Sequence, residues 1–148
     1  MDLKNSVLRK KAKKVTVFDR SLSNTVQNML LLMREKDGVG LAAPQVGISK
    51  RIAIIEYGGT ALCMINPEIT KREGSVESTE GCLSIPGRTY RVPRSKSIVV
   101  RFRNSDGLYW TLGAEGMLAI IIQHEVDHLD GILISDYPQD RHTEKAGT

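Results

Sequence analysis

The residues best suited to chemistry lie near the C-terminal end of the chain, where His124 and His128 accompany Glu125. Residues four positions apart on an α-helix lie one turn apart on the same face, so both imidazoles can reach one metal ion. Glu125 projects at a neighbouring angle, where it can exchange protons with water on the metal without being a ligand. This spacing predicts metal-assisted hydrolysis.

A third metal ligand is needed, because catalytic sites of this type usually combine three protein ligands with an open position for water. A metzincin protease would have a third histidine where this chain has Ile134, although Gly131 fits the metzincin pattern. A glutamate from a later helix is also disfavoured, since only a short tail containing Glu144 follows Asp136. The third ligand is therefore expected upstream of the histidines.

Cys82 is the upstream candidate, and it lies in the segment Glu80–Ser84. Gly81 permits a close backbone approach there, and Pro86 limits regular pairing, so the segment is expected to be irregular. A thiolate would complete a set of one cysteine and two histidines. The alternative is a small buried residue, which is the preferred interpretation for Cys63 within its apolar, β-prone run.

The segment Gly38–Gly47 is rich in glycine and proline, yet it is too apolar for an ordinary exposed loop. Its small residues allow the backbone to approach the central helix and leave main-chain groups able to pair with an extended peptide. Gln45 is a candidate oxyanion donor, because an uncharged amide does not compete for the metal. The alternative is a tight turn with Gln45 in solvent.

Two helices are predicted from hydrophobic periodicity and end signals. The first is capped by Ser21 or Ser23 and ends near Asp37, with an apolar face formed by Val26, Met29, Leu30 and Met33. The second runs from about Ala114 to Leu129 and is followed by Gly131, a helix-ending residue. Its middle is apolar all round, which predicts burial on several sides.

The β-prone runs cluster before the second helix and do not alternate with helices. Strands are expected at 51–57, 61–66, 96–103 and 108–112, with Asn66-Pro67 ending the first pairing. The fold class is therefore α+β, with antiparallel β-sheets packed around a central metal-binding helix. The chain is expected to form a single domain, 1–148, of which about 138–148 is a polar tail containing a solvated His142.

The composition is that of an ordinary globular protein, with 41% hydrophobic and 26% charged residues in 148. The basic first fourteen residues contain no apolar run, and no stretch reaches the roughly 20 apolar residues needed to span a membrane. Two cysteines are compatible with a reducing compartment, so a cytoplasmic location is expected. The net charge of +4 predicts a solvated basic face; the alternative is a basic RNA-associated module.

Three segments of the chain, Gly38–Gln45, Glu80–Ser84 and Gln123–Leu129, resemble those of peptide deformylases in sequence, order and separation. Weaker similarity extends from Val7 to Tyr137. The resemblance implies removal of the formyl group from the N-terminal formylmethionine of nascent polypeptides. The alternative is a non-catalytic, formyl-peptide-binding relative of the same fold, although the intact glutamate of the third segment argues against it.

The same resemblance implies roles for individual residues. One divalent ion per chain, iron(II) in many members, would be held by Cys82, His124 and His128; zinc, nickel or cobalt also suits these ligands. Glu125 would pass a proton to the leaving amine, and Gln45 and the backbone N–H of Leu83 would stabilise the oxyanion.

Substrate contacts are expected from two loops and one face of the second helix. Met117, Ile120 and Ile121 lie seven, four and three residues before His124, where they can wall an apolar pocket for the methionine side chain. Core packing is the alternative for each of them. The loop residues expected to contact the peptide are Val39, Gly40, Glu80 and Gly81.

Both ends of the chain depart from the family pattern. The full leading strand common in the family is missing, and the chain stops soon after Tyr137, where many bacterial members continue into a C-terminal helix. It is similar in this respect to short, phage-encoded members. Since that helix serves ribosome docking in the family, ribosome association is not implied here. Neither a membrane nor a specific nucleic acid is expected as a partner.

Overall fold

The computed structural model describes residues 6–82 and 85–139, and of residues 6, 82, 85 and 86 only the backbone. Its α-helices are α1 (Arg20–Glu35) and α2 (Gly116–Leu129). Short 3-10 helices are found at Ser6–Arg9, Ala43–Val46 and Ile134–Asp136. The strands are β1 (Gly40–Ala42), β2 (Ile52–Tyr57), β3 (Thr60–Glu73), β4 (Val76–Cys82), β5 (Ile85–Arg94), β6 (Ser97–Arg103) and β7 (Tyr109–Glu115).

The strands form one antiparallel sheet of order β1-β2-β3-β6-β7 and one separate antiparallel pair, β4-β5. Helix α2 packs against the larger sheet, and its polar side chains reach Glu80 in the hairpin and Ser95 just after it. The predicted α+β class, with antiparallel sheets around a central helix, is confirmed. No helix in the described part of the chain combines the length and the apolar character needed to cross a membrane.

The larger sheet has an apolar layer on each face. Side chains alternate along a strand, so Ile52 and Ile54 of β2 join the cluster around α1, whereas Ile55 joins the cluster beneath α2. Helix α1 contributes Met29 and Met33 to its cluster, as its periodicity predicts. The sheet therefore supports α2 from one side while α1 covers the other side.

The C-terminal end of α2 is held by the N-terminal segment and by β2. Arg51 donates from Nη1 to the carbonyl oxygen of Leu129 (2.9 Å) and from Nη2 to Asp130 (2.8 Å), which satisfies a carbonyl at the negative end of the helix. Gly131 follows with φ +74°, and a Cβ there would lie 2.6 Å from the carbonyl oxygen of Arg9. Only glycine fits this helix end, as predicted.

The predicted start of α1 is wrong. Asp19, and neither Ser21 nor Ser23, is the N-cap: its carboxylate accepts a hydrogen bond from the backbone N–H of Leu22 (3.1 Å). Both serines lie within the first turn. An aspartate at this position also places negative charge at the positive end of the helix dipole.

Three other predicted boundaries are corrected. Among the described residues, the irregularity expected around Gly81 is limited to a register shift between Glu80 and Cys82, and Thr79, Glu80 and Cys82 are paired with β5, because a two-stranded sheet has exposed edges that tolerate such residues. The pairing of β3 with β2 does end at Ile65, next to Asn66 as predicted, but the strand continues past Asn66, whose φ of +53° accompanies a register shift, and pairs with β6. Ala114 and Glu115 belong to β7, since the chain turns into α2 only at Gly116, with φ +64°.

Candidate active site

A cleft of about 470 Å³ lies between the N-terminal half of α2, the segment around β1, and β4. It brings together all three segments singled out in the sequence. Gln45, His124 and Glu125 line it. So do all seven residues predicted to contact substrate, which are Val39, Gly40, Glu80, Gly81, Met117, Ile120 and Ile121.

The two histidines of α2 face each other as their spacing predicts. Their ring centroids are 5.1 Å apart. His124 Nδ1 lies 2.8 Å from Glu80 Oε1, and because a carboxylate only accepts, this bond places a proton on Nδ1 and leaves Nε2 as the nitrogen that could bind a metal. Burial, together with the positive charges of His124 and Arg94, lowers the pKa of His128 to about 3. His128 is therefore neutral, as a metal ligand must be.

Glu80 is held by a buried charge network that sequence reasoning missed. Arg94 donates from Nε to Glu80 Oε2 (2.8 Å) and from Nη2 to Oε1 (2.6 Å). It also donates from Nη1 to Asp127 Oδ2 (2.6 Å), which accepts a further bond from the Tyr137 hydroxyl (2.6 Å). Glu80, expected to contact substrate, thus uses both oxygens to bind Arg94 and orient His124.

The network fixes the protonation state of Glu80. Burial alone would raise its pKa, but the hydrogen bonds and charges of Arg94 and His124 outweigh burial and hold the pKa at about 2. The pKa of Arg94 is raised by its two carboxylate partners in spite of burial. Glu80 is therefore a permanent anion near neutral pH and is not suited to proton transfer.

Glu125 has the opposite electrostatic environment. Burial raises its pKa to about 7, with the charges of His124 and Arg94 opposing the shift. Its Oε1 is buried without a hydrogen-bond partner among the residues that the structure describes. A carboxyl group with a pKa near the working pH can both accept and release a proton.

Gly40 in β1 sets the position of the Glu125 carboxylate. A Cβ on residue 40 would lie only 2.5 Å from Glu125 Oε2 and 3.0 Å from Cδ. No real side chain tolerates such contacts without a shift. The glycine-rich segment thus lies against α2, as its apolar character indicates, and the backbone of β1 forms one wall around Glu125.

Gln45 is buried in the wall of the cleft, which excludes the alternative of a solvent-exposed turn. It lies in the 3-10 helix that follows β1, where its Oε1 accepts a hydrogen bond from the backbone N–H of Ala42 (2.8 Å). This bond orients the amide with its oxygen toward the main chain. Any donor function toward substrate therefore falls to Nε2.

Comparison with known proteins places the chain in a family. A family model described as polypeptide deformylase matches residues 1–144. The chain belongs to this family. The expectation that it is a deformylase enzyme, made from the three segments, is thereby confirmed.

Individual members of the family are similar over most of their length. A peptide deformylase of Thermotoga petrophila is 48% identical, covering 88% of this chain and 80% of that protein. The crystal structure of a peptide deformylase from Thermotoga maritima has a TM-score of 0.90 at 44% identity, with 93% of this chain and 95% of that chain covered. One from Synechococcus elongatus in complex with actinonin has a TM-score of 0.91 at 41% identity, covering 97% and 80%.

Two parts of the predicted site lie outside what the structure describes. Leu83, the second oxyanion donor, is not among the described residues, and neither is the side chain of Cys82. His142, in the predicted tail, also lies beyond them. Among the described side chains, no three His, Cys, Asp or Glu are grouped so as to hold a metal ion. The third ligand stays a prediction.

Three network residues, Arg94, Asp127 and Tyr137, have weak signals in the sequence. Asp127 does lie within the helical motif, one position before His128, where an acidic residue on a buried helix demands a partner. Arg94 and Tyr137 lie in ordinary-looking segments, and only the fold brings them to Asp127. A search for partners of Asp127 could have suggested a buried arginine, but it could not have identified which one.

Proposed function

We propose that the cleft binds an N-formylmethionyl peptide and hydrolyses its formyl amide with a divalent ion held by Cys82, His124 and His128. The observation that carries this proposal is the pair of histidine rings that face each other on α2, with His124 Nδ1 tied to Glu80. Metal-binding histidines are typically oriented by such a carboxylate. The Glu80 bond leaves His124 Nε2 as the ligand atom.

One thiolate and two imidazoles form a donor set that suits a first-row divalent ion, and we take iron(II) as the native one. A divalent ion held by these residues would lower the pKa of a water molecule and polarise the formyl carbonyl. The chain's own residues then provide the proton transfer and hold the peptide. The buried network around Arg94 keeps His124 in place during these steps.

Glu125 is the proton carrier in this proposal. Its carboxylate takes a proton from the attacking water, whose oxygen bonds to the formyl carbon, and then delivers that proton to the peptide nitrogen as the C–N bond breaks. Formate and a free amine result. The negative charge that develops on the formyl oxygen is stabilised by donors from Gln45 Nε2 and the backbone N–H of Leu83.

The walls of the cleft define the substrate class. Ile120 and Ile121 provide apolar surface on the face of α2 that carries His124, and the half-exposed Met117 lies at the opening. They would receive the methionine side chain. The main chain around Val39, Gly40 and Gly81 would pair with the peptide backbone. A single domain and a cytoplasmic location stay predictions.

The proposal is tested by formate release from formyl-Met-Ala-Ser. Protein loaded anaerobically with iron or nickel should be active, and Glu125→Gln should lower kcat by about 100- to 10,000-fold because it cannot transfer protons. Metal content should not change, since Glu125 is not a ligand. Loaded wild-type protein that releases no formate would contradict the proposal. Tight binding of the peptide without turnover would support the non-catalytic alternative instead.

A further inference from the structure

A second groove, of about 770 Å³, shares no lining residue with the catalytic cleft. It is formed by the N-terminal segment, by β3 where it bends at Asn66, and by the adjacent parts of β6 and β7. Five cationic side chains line it, against the single carboxylate of Glu68. We call it the basic groove, and its cations are Lys11, Lys14, Arg51, Arg101 and Arg103.

Most of this charge is not neutralised by carboxylates of the described residues. Arg51 is buried and paired with Asp130, so it serves the end of α2. The other cations form no salt bridge within the described part of the chain. Exposed cations along one groove attract a polyanion and release its counterions on binding.

The N-terminal side of the groove is fixed by hydrogen bonds to the sheet. The backbone N–H of Val15 donates to Asn66 Oδ1 (2.8 Å), and Asn66 Nδ2 donates to the carbonyl oxygen of Val15 (2.8 Å). Lys13 is bonded to Ser49 through its N–H and to Arg51 through its carbonyl oxygen. Lys11 and Lys14 are therefore carried on a held segment.

An aromatic platform lies across the groove from these lysines. Tyr109 is 63% exposed, and the guanidinium carbons of Arg101 (4.9 Å from the ring centroid) and Arg103 (4.7 Å) lie over its ring. Arg103 is itself positioned by a bond from Nε to the carbonyl oxygen of Gly107 (2.9 Å) and by the Phe18 ring beneath it. Flat aromatic and guanidinium surfaces of this kind stack nucleobases.

We propose that the basic groove binds single-stranded RNA without sequence preference, with phosphates along Lys11, Lys14 and Arg101 and a base stacked at Tyr109. An acidic peptide would use the same charges but would gain little from the tyrosine ring. The combination of these cations with an exposed ring therefore favours a nucleic acid. Sequence alone favours a solvated basic face, because only 5% of the residues are aromatic. The fold adds the arginines of β6, which are about 90 residues from the lysines of the N-terminal segment.

The test is fluorescence anisotropy of the folded, full-length protein with a labelled 12-nucleotide oligouridylate at several salt concentrations. Tyr109→Ala should weaken binding by about 5- to 150-fold through lost stacking, while Tyr109→Phe should preserve it. Lys14→Ala and Arg101→Ala should each reduce the slope of log affinity against log salt by about 0.7. Glu68→Gln should tighten binding.

Matched controls are Tyr57→Ala, which removes another exposed tyrosine, and Lys36→Ala, which removes another exposed lysine; neither residue lines the groove. Both should leave binding unchanged, and all variants should keep deformylase activity and thermal stability. The proposal is overturned if the RNA does not bind at low salt, or if control and groove variants have equal effects. Because Tyr109→Ala should bind RNA less tightly, polyglutamate should displace RNA from this variant at a lower concentration than from wild type. Displacement at the same concentration from both proteins would also overturn the proposal.

Discussion

Both α1 and α2 are α-helices, but they differ in how far the rest of the chain buries them and in which residue types are buried. Helix α1 buries only Leu22, Met29 and Met33, and it exposes polar side chains on its other face. Helix α2 is buried along most of its length, and its buried residues include Gln123, Glu125 and His128. The first helix is held mainly by apolar burial, with an exposed ion pair between Arg34 and Glu56, whereas the second must bury several polar groups.

The hydrogen-bond partners of the polar side chains on α2 separate the residues that are tied to the fold from the residue that is assigned to catalysis. Gln123 Oε1 accepts from the N–H of Ser95 (2.8 Å), and Gln123 Nε2 donates to the Ser95 carbonyl oxygen (2.9 Å). His124 is bonded to Glu80, and Asp127 to Arg94. Glu125 Oε1 lacks such a bond among the described residues. Glu125, whose Oε1 is not satisfied by any described residue, is the residue assigned to proton transfer.

The largest difference in stability between the two helices is expected from substitution of Arg94, the partner of Asp127 on α2. Arg94→Ala leaves the carboxylates of Glu80 and Asp127 buried without their cation, which should cost about 3–5 kcal/mol of unfolding free energy in urea titrations. The side chain of Arg94 is 2% exposed, whereas that of Arg34 on α1 is 51% exposed in its pair with Glu56.

Arg34→Ala is therefore the matched control, and it should change the stability only slightly. Arg94→Ala should also weaken metal binding by about 10- to 100-fold, because Glu80 no longer orients His124. Equal stability losses in the two variants would contradict the difference drawn between the helices.

A smaller effect is expected from closing the space in front of Glu125. Gly40→Ala places a methyl group 2.5 Å from Glu125 Oε2, so either the strand or the carboxylate must move. We expect a loss of about 1–3 kcal/mol in stability, as for other overpacked sites, together with reduced kcat. Gly113→Ala in β7 is the control, since nothing lies within 4 Å of the position that its methyl group would occupy. Unchanged kcat in Gly40→Ala would argue against a role for this contact.

Per pH unit, the smallest effect is the pH dependence of stability in metal-free protein. The Glu125 pKa of about 7, raised above its ordinary value of 4.5, means that the folded state holds this proton more tightly. Its stabilising contribution is present below pH 4.5 and is lost as the pH rises toward 7, by up to about 1.4 kcal/mol per pH unit.

Glu125→Gln removes this titration and should be less sensitive to pH across the same range. The measurement is urea unfolding of both proteins at pH 5, 6 and 7. A constant stability difference between wild type and variant would show that the pKa of Glu125 is not raised.

The features predicted correctly from sequence are local ones. The i, i+4 histidine spacing, the apolar face of α1 and the helix-ending Gly131 depend on residues close together in the chain. The three segments that carry the family resemblance also line one cleft. Helix geometry and backbone sterics determine the local features, so they can be predicted before the tertiary structure is known.

Features that depend on tertiary pairing were missed or misplaced. The partners of Arg94 lie 14 and 33 residues away, and nothing in its neighbourhood distinguishes it from exposed arginines. The segment around Gly81 was expected to be irregular, because its glycine and proline are unfavourable in a central strand. The register of the β4-β5 pair does shift at Gly81, but the residues on either side of it are paired in an isolated two-stranded sheet, and that arrangement is not visible in a propensity pattern.

The two cysteines provide the most direct test of the proposed metal centre. Cys63 packs against the apolar cluster around α1, and burial raises the pKa of its thiol to about 12, so it is unsuited to bind metal as a thiolate. Wild-type protein, Cys63→Ser and Cys82→Ser are reconstituted anaerobically with iron(II), desalted and analysed for metal. We expect one tightly held ion per chain in wild type and Cys63→Ser, and loss of most of it in Cys82→Ser. Retention of that ion by Cys82→Ser would contradict the assignment of Cys82 as the third ligand.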